Sequence, residues 1–172
     1  MKLIAAIAID GAIGNDNQLL WDLSEDLKNY KDKTSGNILI VGRKTYETLP
    51  HNALLNRTHI VIKHNDGKYI DAPDGSDIQV VHTIKDALKL AKKLKGKSTK
   101  EIYIIGGETI YNQTIDLCDE AEITWINKTY PNANKRFQIE KLFEDFDIAE
   151  DTGWTKNKNG LIYKIINYKR SE

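Results

Sequence analysis

Apolar, β-branched runs punctuate the chain at residues 2–9, 38–41, 59–62, 78–81 and 101–105. Each is short and nearly continuous, the signature of strands buried on both faces of a mostly parallel sheet. Helical periodicity fills the gaps, at 24–33, 43–49, 84–95 and 108–117. The third of these is the clearest: Ile84, Ala87, Leu88, Ala91 and Leu94 form one stripe that stops before Gly96. After residue 120 the pattern changes. Residues 121–127 and 161–169 read as strands, and Asn157-Lys158-Asn159-Gly160 reads as a hairpin turn. The alternation of strand and helix predicts one α/β domain over residues 1–172. Its centre is expected to be a mixed, mostly parallel twisted sheet of about eight strands, with helices on both faces and an antiparallel C-terminal edge. The polar stretch from Asp66 to Asp77 is expected to be a surface loop.

Composition narrows the function classes. The chain has 172 residues, 40% hydrophobic and 29% charged, which is a globular composition. Basic and acidic residues balance at 25 each, so nothing points to nucleic acid as the main partner. Cys118 is the single cysteine, which rules out an intramolecular disulfide and a cysteine-built zinc site. The N-terminal apolar run is too short to span a membrane and meets Asp10 at once. A cytoplasmic monomer is the expectation, since no heptad or exposed apolar helix stands out.

Candidate chemistry begins at Asp26. With residues 24–33 helical, Leu23, Leu27 and Tyr30 share one face, and Asp26 falls within it, three after Leu23 and four before Tyr30. A first-turn acid can simply answer the helix dipole. On a buried face it needs a donor-rich partner instead. Gly106-Gly107 joins a strand to a helix start, where free N–H groups suit phosphate, though a tight structural turn explains it equally well. Gly42-Arg43-Lys44-Thr45 repeats the arrangement, with a solvated basic helix start as the alternative. A third strand end, at Ile62, is followed by Lys63 and His64. Ligands of such sheets lie beyond the carboxyl ends of the strands, so three phosphate-suited strand ends suggest a dinucleotide, and the extra cations suggest a 2′-phosphate. His59 is expected to be a strand residue and His51 a loop residue, while His82 stands at a strand end near the expected adenosine.

These segments together resemble the dihydrofolate reductase family. The resemblance is carried by Ile4-Ala5-Ala6 through Ile13-Gly14, Asn17, Leu20-Trp21, Leu23, Asp26-Leu27 and Tyr30-Lys31. It continues through Val41 to Glu47, Leu54, Arg57 before the run 59–62, Ile104 to Tyr111, and Ile123-Thr124 before Trp125-Ile126. It implies reduction of the pterin ring of dihydrofolate with NADPH, with antifolates as inhibitors. By that resemblance Asp26, Trp21, Tyr111 and Thr124 would be the catalytic set. Ile4, Ala5, Leu19, Leu27, Tyr30, Thr48, Leu49, Leu54, Arg57 and Ile105 would form the folate site, with Arg57 on the glutamate tail. Ala6, Ile13, Gly14, Asn17, Gly42, Arg43, Lys44, Thr45, Ile62, Lys63, His64 and Ile105 would meet the cofactor. So would Gly106 and Gly107, joined by a cis peptide, and Glu108, Thr109, Ile110 and Tyr111.

Burial of Asp26 would raise its pKa, so that activity falls as pH rises past neutrality. Four departures from the family pattern stand out: Leu20 for proline, Leu55-Asn56 for Pro-Gly, Asn134 for an acid that steadies the loop over the site, and Glu108-Thr109 where a cation is common. Two alternatives carry less support. A riboflavin-pathway reductase on the same fold does not account for Trp21, Asp26 and Arg57, and a nucleotide-binding protein without turnover does not account for Asp26 beside intact glycine blocks.

Overall fold

The computed structural model describes residues 1–16, 18 and 20–172. In chain order the elements are β1 (Lys2–Ala8), β2 (Ala12–Gly14), α1 (Ser24–Thr34), β3 (Ile38–Gly42), α2 (Arg43–Glu47), β4 (Thr58–Ile62), β5 (Asp77–Val81), α3 (Ile84–Lys95), β6 (Ile102–Ile104) and α4 (Glu108–Thr114). They continue with β7 (Glu120–Ile126), β8 (Lys135–Arg136), α5 (Ile139–Asp145), β9 (Phe146–Asp151), β10 (Thr155–Lys156) and β11 (Ile162–Arg170). The main sheet runs β10-β11-β7-β1-β6-β3-β4-β5, and β9 also pairs with β11. From β7 to β5 every pairing is parallel; β11 is antiparallel to β7, β9 and β10. This is the mixed, mostly parallel sheet with an antiparallel C-terminal edge that the pattern predicts.

The central strands are the apolar runs, and both faces of each are covered. On one side Leu3, Ile7, Ile38, Ile40, Ile60 and Ile104 pack with Ala87 and Ala91 of α3. On the other, Ile4, Leu39, Val41, Val61 and Tyr103 pack with Tyr30 of α1 and Tyr46 of α2. Alternate side chains of one strand therefore feed two cores. The α3 stripe is capped by Thr83, whose hydroxyl accepts from the Asp86 amide at 3.0 Å, and it ends at Gly96 with φ 50°.

The strands and the helices α1 and α3 match the sequence reading to within a residue at either end. Two helices are shorter than periodicity indicates. The second stops at Glu47, and the last gives way to a 3₁₀ turn over Ile115–Leu117. The small β2–β8 ribbon, α5 and β9 have no counterpart in the sequence reading. The ribbon is held by Ala12–Arg136 and Gly14–Lys135 pairing, which brings together segments over a hundred residues apart. No local pattern encodes such a pairing.

His59 on β4 is completely buried, with Tyr46 edge-on at 6.0 Å between centroids. Among the described residues neither ring nitrogen has a hydrogen-bond partner. Desolvation lowers its pKa to about 4 from 6.5, and the Arg57 charge pushes the same way. The folded state thus resists protonation while the unfolded chain accepts it. This contribution to stability is intact above pH 6.5 and is lost as pH falls towards 4. The expected loss is about 3 kcal/mol across that window. His59→Leu should flatten this part of the curve in chemical denaturation at stepped pH; an unchanged acid limb would contradict the assignment.

Candidate active site

Two walls of a cleft converge where α1 crosses the carboxyl-terminal halves of β1 and β7. Parallel pairing sets Ala5 beside Ile123 and Ala6 beside Thr124. Thr124 is buried, and its hydroxyl lies close enough to the Asp26 carboxyl to favour the ionised form. Asp26 is surrounded by protein on most sides but keeps an edge open to the cleft. Desolvation raises its pKa from 3.8 to about 6; the Glu122 charge adds to the rise, and the Thr124 hydrogen bond opposes it. Ile4 and Leu54 are buried nearby, while Leu27 and Leu49 remain half-buried. Tyr111 is buried below, with its hydroxyl donating to the Ile4 carbonyl at 2.8 Å.

Arg57 lies under the far end of this wall, its guanidinium carbon 5.8 Å from the Tyr30 ring centre. Nε donates to Thr34 Oγ1 at 2.8 Å and one terminal nitrogen to the Lys31 carbonyl at 2.5 Å; the other donates to the Leu55 carbonyl. Three of the five N–H donors are thus committed, which fixes the fork and leaves one donor on each terminal nitrogen. Asn56 takes the left-handed conformation, φ 55°, that glycine would accept more readily. It is secured by Nδ2 donating to Ser35 Oγ at 2.7 Å, and its carbonyl accepts from Gly36 at 2.7 Å.

Beyond the carboxyl ends of β3, β4 and β6 opens a cavity of about 560 Å³. Of the residues assigned to the cofactor, Ile13, Gly14, Gly42 to Thr45, Ile62 to His64 and Gly107 to Ile110 line it, together with Thr48. Ala6, Ile105, Gly106 and Tyr111 are not among its lining residues. Asn17 and Leu19 lie outside the described residues. Gln18, His82, Thr83, Ile84, Gln113 and Lys135 also border the cavity. Only His82 of these carried a sequence signal, its place at a strand end; the others arrive through helix α3, helix α4 and the β2–β8 ribbon.

The glycines are required by contact. A Cβ on Gly106, which has φ 109°, would lie 2.8 Å from the Tyr111 ring, and one on Gly107 would lie 2.9 Å from Thr45 Oγ1. The Gly106–Gly107 peptide is cis, and the Gly106 carbonyl accepts from the Gly42 amide at 2.7 Å. Cations are arranged unevenly. The Lys63 ammonium is buried against Asp66 at 2.6 Å, and Arg43 is tied to Glu47 at 3.1 Å, while Lys44 stays exposed. His82 donates Nδ1–H to the Lys63 carbonyl at 2.8 Å, which fixes its tautomer. Glu108, at the cavity wall, accepts the Arg136 amide at 2.6 Å.

The segment preceding α1 is pinned from outside. Asp10 accepts from the Tyr130 amide at 2.8 Å and pairs with Arg136 at 3.4 Å. Asn134 replaces the family acid but still binds Asp16 twice. It accepts the Asp16 amide at 3.1 Å and donates to its carboxylate at 2.8 Å. Trp21 rests on Tyr130, with ring centres 5.7 Å apart.

A parallel-sheet domain with a glycine-walled cavity at its strand ends, and a protonatable carboxyl beside it, has the layout of a dinucleotide-dependent reductase. The dihydrofolate reductase family model matches residues 1–170, and the chain belongs to that family. A Mycoplasma genitalium dihydrofolate reductase is 34% identical over 153 residues, covering 84% of this chain and 92% of the relative. A Staphylococcus aureus dihydrofolate reductase is 28% identical over 173 residues, covering all of this chain and 99% of the relative. A bifunctional dihydrofolate reductase-thymidylate synthase of Paramecium tetraurelia is 32% identical over 169 residues; the chain spans 33% of that relative's length. Among solved structures, Enterococcus faecalis dihydrofolate reductase complexed with NADP(H) and RAB-propyl superposes with a TM-score of 0.79 at 26% identity, covering 99% of this chain and 96% of that one.

Because the folded state holds Asp26 against ionisation, its carboxylate opposes folding once pH passes 3.8, and fully so above about 6. Asp26→Asn should therefore stabilise the ligand-free protein at pH 8 by about 1–2 kcal/mol, discounted for the edge open to water, and by nothing below pH 4. Equal unfolding midpoints for the two proteins at pH 8 would refute the raised pKa.

Proposed function

We propose that this protein reduces 7,8-dihydrofolate to 5,6,7,8-tetrahydrofolate, the form that serves one-carbon transfer in thymidylate, purine and amino-acid synthesis. The observation that carries this reading is Asp26, a largely enclosed carboxyl beside Thr124 whose pKa burial raises to about 6. The residues present fit NADPH: two glycines whose Cβ positions are already filled, a helix start at Gly107, and exposed Lys44 and His64 for a 2′-phosphate. NADPH supplies the hydride when bound. Ala6, Ile13, Gly14, Gly42 to Thr45, Ile62 to His64, and Ile105 to Tyr111 are assigned to it, with Asn17 by family resemblance.

Asp26 accepts hydrogen bonds from the amidine-like edge of the pterin and retains a proton near the ring, where N5 must be protonated. Thr124 fixes the carboxyl orientation. Ile4, Ala5, Leu27, Tyr30, Leu49 and Leu54 supply a flat apolar slot, with Thr48 and Ile105 at the boundary between the two rings. Leu19 joins this set by resemblance alone. The two spare N–H donors of Arg57 match a carboxylate of the glutamate tail. Trp21, braced on Tyr130, closes the cleft and limits water. Among the described residues no helix is long and apolar enough to cross a membrane. We place the protein in the cytoplasm as a monomer acting on small molecules, with antifolates competing at Asp26.

The test is loss of NADPH absorbance in the presence of dihydrofolate. Turnover should depend on both compounds and fall at least about a hundredfold in Asp26→Asn. The rate of hydride transfer should fall about tenfold per pH unit once Asp26 ionises, above a pH of about 6. A rate independent of pH between 5 and 8.5, or full activity in Asp26→Asn, would overturn the reading.

A further inference from the structure

Asp26 has an ionised neighbour that touches neither the cleft nor the cavity. On β7, Glu122 and Thr124 point to the same side, two residues or roughly 7 Å apart along the strand. On α1, Asp26, Asn29 and Lys33 share one face at three- and four-residue spacing. Helix and strand are therefore joined by two successive rungs. In the first, the Thr124 hydroxyl faces Asp26 and favours its ionised form. In the second, Asn29 Nδ2 donates to Glu122 Oε1 at 2.5 Å, and Lys33 Nζ lies 3.2 Å from Glu122 Oε2. The Glu122 side chain is 13% exposed, that of Lys33 48%.

That asymmetry decides the sign. The Lys33 charge sits largely in water, two turns further along the helix from Asp26, and is screened. The Glu122 charge is enclosed and faces Asp26 through protein, where Coulomb interactions are stronger. The other groups around the pair do not supply a cation to Asp26. Tyr103 on β6 and Tyr111 on α4 are held protonated by burial, and Lys2 on β1 is paired with Glu120 at 3.2 Å, with Glu101 also acting on Tyr103.

We propose that Glu122, locked in place by Asn29 and Lys33, is a positioning residue whose negative charge adds to the burial of Asp26 and moves the loss of its proton to higher pH. This rests on the reading of Asp26 as the group whose proton governs turnover. The electrostatic part stands on its own, because Asp26 can be titrated in the ligand-free protein. Glu122 makes no contact with substrate; it acts by making ionisation of Asp26 more costly, while its amide rung preserves the α1–β7 spacing.

Glu122→Gln removes the charge and retains an oxygen for Asn29. Carboxyl carbon NMR of Asp26 should then show a midpoint lower by roughly half a pH unit. The pH–rate profile should shift equally, leaving the acid plateau unchanged and reducing turnover about threefold at pH 8. Lys33→Met should shift both midpoints the opposite way, and Glu122→Asp should restore the original titration. The proposal fails if Glu122→Gln leaves the Asp26 midpoint within about 0.1 unit or raises it, or if Lys33→Met moves it in the same direction. If the NMR midpoints move as expected while the protein does not oxidise NADPH with dihydrofolate, the electrostatic inference holds and the assigned reaction fails. If Glu122→Gln does not fold, Lys33→Met alone decides the matter.

Discussion

A carboxyl group withheld from water at the side of an apolar cleft is the constraint on which the rest of this structure depends. Asp26 would be cheaper to fold on any exposed surface. Its cost is tolerated because α1 presents it between Leu23, Leu27 and Tyr30, and because Thr124 offers one hydroxyl from β7. A single neutral donor orients the group without neutralising it. An arginine or lysine at the same place would make a stable ion pair and lower the pKa that burial raises.

The sheet fixes where this group can act. Parallel pairing of β7, β1, β6, β3 and β4 brings all their carboxyl ends to one edge, with the cavity beyond. The Gly42 to Gly106 hydrogen bond ties neighbouring strand ends together and sets one wall. Most of the cations along that wall already have internal partners: Lys63 holds Asp66 and Arg43 holds Glu47. Such pairs order the loops and leave Lys44 and His64 as exposed groups on that surface. Across the cleft the Asp10–Arg136 pair and the Asp16–Asn134 pair fasten the segment before α1 to the ribbon that follows β7. Asn134 makes its side of that pairing with two reciprocal hydrogen bonds and no charge.

The comparison with relatives adds a measure of tolerance. Identity of 26–34% accompanies coverage of nearly the whole chain. Asn56 shows how a side chain can be accommodated in a left-handed turn: at φ 55° it anchors its own amide on Ser35. Arg57, immediately after it, keeps the same fixed fork through carbonyls, which are available whatever the side chains are.

By itself the sequence determined the class of fold, the order of its central elements, and most of the residues that line the cavity at the strand ends. Those are local properties: period-two and period-3.6 burial, glycines at strand-to-helix junctions, and an acid placed within an apolar helical stripe. Tertiary structure alone decided the β2–β8 ribbon, the support of Trp21 by Tyr130, the internal pairing of Lys63 and Arg43, and the approach of Glu122 to Asp26. Each joins segments whose proximity is set by the packing of helix on sheet, and a charge or donor reads the same in a sequence whether its partner is water or another part of the chain.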